Sequence, residues 1–167
     1  MRKAEAALGT TAFLVVVPGV VAGLVPWVLT GWRGGESLWM AAQVLGVALI
    51  VGGAAVLIVA FARFVVEGLG TPAPIAPTDH LVVGGFYRYV RNPMYLAVEA
   101  LIVGQALVLG RSVLVIYAAA VWAVVGAFVH WYEEPALSRR FGTQYEAYRR
   151  GVPAWRPRLR PWHTQDA

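Results

Sequence analysis

Residues 91–134 read RNPMYLAVEALIVGQALVLGRSVLVIYAAAVWAVVGAFVHWYEE, and the fold is decided there. Two apolar blocks, Met94 to Leu109 and Val113 to about Trp131, are separated only by Gly110-Arg111-Ser112. Two helices joined by so short a turn run antiparallel. At a rise of 1.5 Å per residue, Met94 to Gly110 spans ~26 Å and Ser112 to Glu133 spans ~33 Å. The start of the first helix and the end of the second therefore lie near the same depth. Arg91-Asn92-Pro93 should face Glu133-Glu134 across one end of the hairpin.

Outward from this hairpin the chain is equally apolar. Earlier blocks run from about Ala6 to Leu29 and from about Leu38 to Phe61. Each is ~24 residues, and about 20 helical residues cross a bilayer. Of the 167 residues, 59% are hydrophobic and 14% charged, with mean hydropathy +0.62. A water-soluble surface normally needs about a quarter of the chain charged. The expected fold is all-α: an integral membrane bundle of about four transmembrane helices. Met1-Arg2-Lys3 precedes an apolar run that is too long for a signal peptide and lacks a clear cleavage site, which predicts a retained first span. Pro18 and Pro26 are expected to kink it. Gly19 and Gly23 form a GxxxG pair, either a packing face or chance in a glycine-rich chain.

A single membrane domain is expected over residues 1–167, with two spans in 1–67 and a loop, hairpin and tail in 68–158. Between Arg63 and Asn92 lie Pro72, Pro74, Pro77, Gly68, Gly70, Gly84 and Gly85, the composition of a long irregular loop. After Pro135, Leu137, Phe141, Tyr145 and Tyr148 share one helical face, with Gly142 dividing it into two short pieces. That face is either an interfacial amphipathic helix or a lid.

Charge sets the orientation. The chain carries +5 overall, and seven arginines follow Ser138. With the N-terminus inside, Arg2, Lys3, Arg63, Arg88, Arg91 and these seven are cytoplasmic, while Arg33 and Arg111 are external, as the positive-inside bias requires. Both termini are expected in the cytoplasm. Beside membrane helices, a basic tail suits anionic lipid headgroups rather than nucleic acid. The chain has no cysteine, which excludes disulfides, thiolate catalysis and cysteine-ligated metals. His80, His130 and His163 have no HExxH-type spacing, so no metal site is expected.

Polar residues converge at the inner end of the hairpin. Asn92 is a good helix N-cap and Pro93 fits a first helical turn. The same helix start offers free N–H groups to an anion, and Arg91 can add a charge-assisted bond or simply reach the headgroups. Glu133 and Glu134 stand at the negative end of a helix dipole. They need a cationic partner: Arg88, Arg91 or Arg139, or a ligand.

The run Leu81-Val82-Val83-Gly84-Gly85-Phe86-Tyr87-Arg88-Tyr89-Val90-Arg91-Asn92-Pro93-Met94-Tyr95 resembles the signature of the isoprenylcysteine carboxyl methyltransferase and phospholipid methyltransferase superfamily. So does Glu133-Glu134-Pro135-Ala136-Leu137, followed by Phe141-Gly142, Tyr145, Tyr148 and Val152 to Pro157. The similarity covers roughly residues 68–158. It implies an S-adenosylmethionine-dependent membrane methyltransferase with its cofactor in a cytoplasmic pocket. By position, Tyr87, Arg91, Asn92, Pro93 and Tyr95 would line one side and Glu133 and Glu134 another, with Leu137, Tyr145 and Tyr148 closing it. Arg91 and Glu133 would serve catalysis. Many members carry histidine where this chain has Asn92, so no histidine-based proton role applies. The implied acceptor is a lipophilic small molecule or lipid: a prenylcysteine-like carboxylate, a phospholipid amine or another. The implied location is a bacterial or archaeal cell membrane. NADPH-dependent sterol reductases share part of the pattern and stand as an alternative, as does a non-catalytic membrane protein.

Overall fold

A computed structural model of the chain describes residues 16–36, 39–63 and 80–163. The expected first span before Val16 and the loop over 64–79 lie outside the described residues. Among those described, every long element is a helix. They are α1 (Val16–Thr30), α2 (Met40–Arg63), α3 (Pro93–Leu109), α4 (Ser112–Phe141) and α5 (Thr143–Gly151), with a 3-10 turn at Gly85–Arg88 before α3.

Two of these, α2 and α4, are long and apolar enough to cross a membrane, and α1 and α3 are shorter apolar helices. Only 28% of the apolar window of α2 and 17% of that of α4 is buried. That sets them apart from the core helices of soluble proteins. Val44, Val51 and Ile58 on α2 and Val115, Ile116 and Val124 on α4 are all exposed. Apolar surface this continuous needs lipid or protein against it.

Helix ends follow local chemistry. Pro93 opens α3, where its missing N–H costs nothing. Gly110 closes α3 in the left-handed conformation (φ 61°), its N–H donating to the Ala106 carbonyl. The hairpin turn is also tied to the α1–α2 connection: Gly35 N–H donates to Leu109 O (2.7 Å) and Glu36 N–H to Gly110 O (3.2 Å).

Two prolines inside long helices, Pro26 and Pro135, are each preceded by a π-helical turn. In α4 the turn Val129–Glu133 precedes Pro135, and in α1 the turn Val20–Leu24 precedes Pro26. A proline ring clashes with the carbonyl four residues back, and a wider turn moves that carbonyl away. So α4 does not stop near Trp131, as its sequence suggests, but runs through the two glutamates to Phe141. In α1 the loosened carbonyls gain new donors. Gln105 Nε2 of α3 donates to Ala22 O (2.7 Å), and Tyr117 Oη of α4 donates to Val21 O (2.9 Å). Such substitution lets an apolar bundle tolerate proline.

The closest helix pair is α2 with α3. A Cβ on Gly104 would stand 2.7 Å from the Gly46 carbonyl oxygen, and one on Gly46 would stand 2.8 Å from the Gly104 oxygen. Gly53 meets Ala97 in the same way. Small residues here let two backbones touch. The Gly19–Gly23 pair, by contrast, packs against nothing among the described residues.

Beyond α5 the chain doubles back as an extended strap along residues 88–92. Arg91 N–H donates to Pro153 O (3.0 Å), Arg158 N–H to Tyr89 O (2.9 Å) and Trp162 N–H to Arg88 O (2.9 Å). The strap is anchored by a core of Tyr145, Tyr148, Val152 and Trp162, against which Leu137 and Phe141 pack.

Candidate functional site

The hairpin brings its two polar ends together, and the bonds run directly between them. Arg91 Nη1 donates to Glu134 Oε1 at 2.7 Å and to the Tyr145 hydroxyl at 3.0 Å. One turn into α3, the Tyr95 hydroxyl donates to Glu133 Oε2 at 2.9 Å. Consecutive residues on a helix diverge by about 100°. The twin glutamates thus reach different partners, one inside α3 and one at its entrance. Of the cationic partners foreseen for them, Arg91 takes Glu134.

Asn92 occupies the N-cap position of α3, but its side chain makes no capping bond. Its Nδ2 instead donates to Ala154 O (3.2 Å), which locks the strap onto the Arg91 corner. The capping role read from the sequence is therefore replaced by a tertiary one. The Tyr148 hydroxyl donates to Tyr87 O (2.7 Å), fastening α5 to the 3-10 turn. Burial holds the Tyr148 hydroxyl proton well above the usual tyrosine range. It also raises Tyr145, against the opposing pull of the Arg91 guanidinium. Both phenols stay protonated at neutral pH.

A cavity of about 670 Å³ opens on this cluster and continues between the helices. Tyr87, Arg91, Asn92, Tyr95, Glu133, Glu134, Leu137, Tyr145 and Tyr148 all line it. Pro93 does not; it is buried as the first residue of α3. The polar end is formed by Arg91 and the glutamates. The other end is apolar, walled by residues such as Val21 of α1, Leu57 of α2 and Val121 and Val125 of α4. Arg91 Nε is buried at this junction with no hydrogen-bond partner among the described residues. A buried guanidinium donor left open is costly unless a ligand completes it.

Trp122 and Glu99 are among the lining residues that the sequence reading did not single out. Trp122 of α4 packs against Trp155 of the strap (centroids 4.8 Å apart), and Trp155 also approaches Tyr95 (6.5 Å). Glu99 of α3 lies in the cavity wall among apolar neighbours. An acidic residue inside an otherwise apolar helix was the signal available for it.

A sequence model of the family described as phospholipid methyltransferase matches residues 41–144. The match starts within α2, further back than residue 68, and ends just past Gly142. No curated protein and no solved structure matches the chain.

Proposed function

The chain belongs to the phospholipid methyltransferase family, and from that premise we propose that it is a membrane enzyme transferring the methyl group of S-adenosylmethionine to a lipophilic acceptor. In this reading α1 to α4 are four spans, both termini are cytoplasmic and the Arg91–Glu134 end of the cavity faces the cytoplasm. α3 covers ~26 Å, close to the ~30 Å hydrocarbon thickness, and arginine placement favours this orientation.

One observation carries the reading: a charged cluster and an apolar chamber share one cavity. The donor set suits a zwitterionic amino-acid group. Arg91 Nε is a buried donor with no protein partner among the described residues, which a carboxylate would satisfy. Glu133 and Glu134 each bond the protein through one carboxylate oxygen, Oε2 and Oε1 respectively, so an ammonium or ribose hydroxyl could be held by the other. When bound, S-adenosylmethionine supplies an electrophilic methyl group on a sulfonium. The chain's own part is to align and to exclude water. Tyr145, Tyr148 and Leu137 close the polar end. Methyl transfer turns the sulfonium into a neutral thioether, so charge is cancelled or spread at the reacting centre, and apolar walls that exclude water favour it. Arg91 and Glu133 flank the reacting region and hold its ends in register.

The test is thermal stability of the purified protein with S-adenosylhomocysteine, with NADPH and with neither. A ligand that binds only the folded state raises the midpoint by mass action. Stabilisation by S-adenosylhomocysteine alone is expected. Stabilisation by NADPH alone would assign the scaffold to reduction, and by neither would end the enzymatic reading.

A further inference from the structure

The cavity contains a carboxylate that the cofactor reading does not use. Glu99 follows Tyr95 by one helical turn, so the two share a face of α3, with Glu99 ~6 Å further from the polar end. The cavity it lines is otherwise walled here by apolar residues such as Val21, Val98, Val121 and Val125. No hydrogen bond or ion pair engages its carboxylate among the described residues. The polar groups nearest in kind are already committed. The hydroxyl of Tyr117 gives its single proton to Val21 O. The Gln105 amide donates to Ala22 O and Leu101 O. Glu99 is half-buried, and in the membrane reading an unpartnered carboxylate within a span is costly; such groups line substrate or proton pathways.

We propose that Glu99 is the acceptor-selecting residue of the cavity: it holds a proton-bearing head group, an ammonium or a hydroxyl, of an amphiphile whose tail lies in the apolar chamber. This rests on the methyltransferase reading. In the transfer step the proton leaves the acceptor nitrogen or oxygen for the Glu99 carboxylate. The acceptor lone pair then forms the new bond to carbon as the sulfur–carbon bond breaks and its electron pair returns to sulfur. An amine ends as a methylammonium, a hydroxyl as a methyl ether, and Glu99 as the neutral acid. A carboxylate acceptor has no proton to give and sets a second negative charge against Glu99 in a low-dielectric chamber. Glu99 therefore excludes it.

The test uses the full chain in nanodiscs, saturated with S-adenosylhomocysteine, and three probes of equal tail length: dodecylamine, dodecanol and dodecanoate. Thermal stabilisation by each is measured for the wild type, E99Q and E99D. Amine or alcohol should stabilise the wild type and E99D, while dodecanoate should not. E99Q should bind S-adenosylhomocysteine within about twofold of the wild type yet lose the amine response. With any acceptor that turns over, E99Q should fall about a hundredfold or more, the scale of losing a general base. Equal stabilisation by dodecanoate, no response to any probe, or an E99Q protein that responds as the wild type does would overturn the assignment. So would E99Q losing S-adenosylhomocysteine, which would move Glu99 to the cofactor end. If the wild type itself fails to bind S-adenosylhomocysteine, it is the methyltransferase reading that fails, and this proposal with it.

Discussion

Replacing Arg91 with alanine is the sharpest perturbation of the site, because one side chain holds three relationships at once. Its Nη1 bonds Glu134 at 2.7 Å and Tyr145 at 3.0 Å, and its Nε is buried without a hydrogen-bond partner among the described residues. The ion pair is mostly enclosed, with side chains 12% and 17% exposed. A hydrogen bond to a charged group contributes about 1.5–3 kcal/mol. Removing one partner of a fully buried pair costs about 3–5 kcal/mol, since the other charge is stranded. The residual exposure places Arg91→Ala at about 2–3 kcal/mol of stability. Arg91→Lys restores a charge beside Glu134 but not the fork or the Nε donor, and should recover roughly half of that loss. Losing the Nε bond to a bound carboxylate, at about 1.5–3 kcal/mol, corresponds to roughly a ten- to hundredfold weaker S-adenosylhomocysteine affinity. Calorimetric titration and thermal melting of the wild type, Arg91→Lys and Arg91→Ala separate the two effects. Arg91→Lys should melt between the wild type and Arg91→Ala while binding poorly. A folded Arg91→Ala protein with wild-type affinity would refute the reasoning and leave Arg91 as a structural clasp.

Glu133→Gln and Glu134→Gln each keep an acceptor oxygen for Tyr95 or Arg91, so both should stay folded while weakening S-adenosylhomocysteine binding; unchanged calorimetric affinity in both variants would contradict the pocket. Gln105→Leu strands the Ala22 carbonyl at the α1 π-turn and should cost about 0.6–1.7 kcal/mol in a detergent or lipid unfolding assay. Tyr145 and Tyr148 have folded pKa values raised by burial. Their contribution is therefore full below the unfolded tyrosine pKa of about 10 and is lost as pH rises through the folded values. Melting midpoints should fall above about pH 10, and a Tyr145→Phe/Tyr148→Phe protein should show a flatter alkaline limb.

The meeting of Arg91 with the twin glutamates was legible in the sequence because helical rise and a three-residue turn fix depth without any knowledge of packing. The course of α4 through Pro135 was not. It depends on a π-turn that exists only if the freed backbone groups find other surroundings. Asn92 misled for a related reason: its local preference is to cap α3, but Ala154, sixty-two positions away, takes its amide. The strap that supplies Ala154 has no periodicity to announce it. Gly46 and Gly104 carry no spacing signature across two helices, whereas Gly19 and Gly23 match a packing pattern and touch nothing described. Glu99 was visible as a letter and became informative only once the cavity walls showed what does not pair with it.

Photo-crosslinking of methyl-labelled S-adenosylmethionine to the wild-type protein, followed by peptide mapping, locates the donor directly. Label is expected in peptides spanning residues 87–95 or 133–148, lost on competition with S-adenosylhomocysteine and untouched by NADPH. Label confined to other segments, or indifferent to S-adenosylhomocysteine, would mean that the arginine–glutamate corner holds no methyl donor.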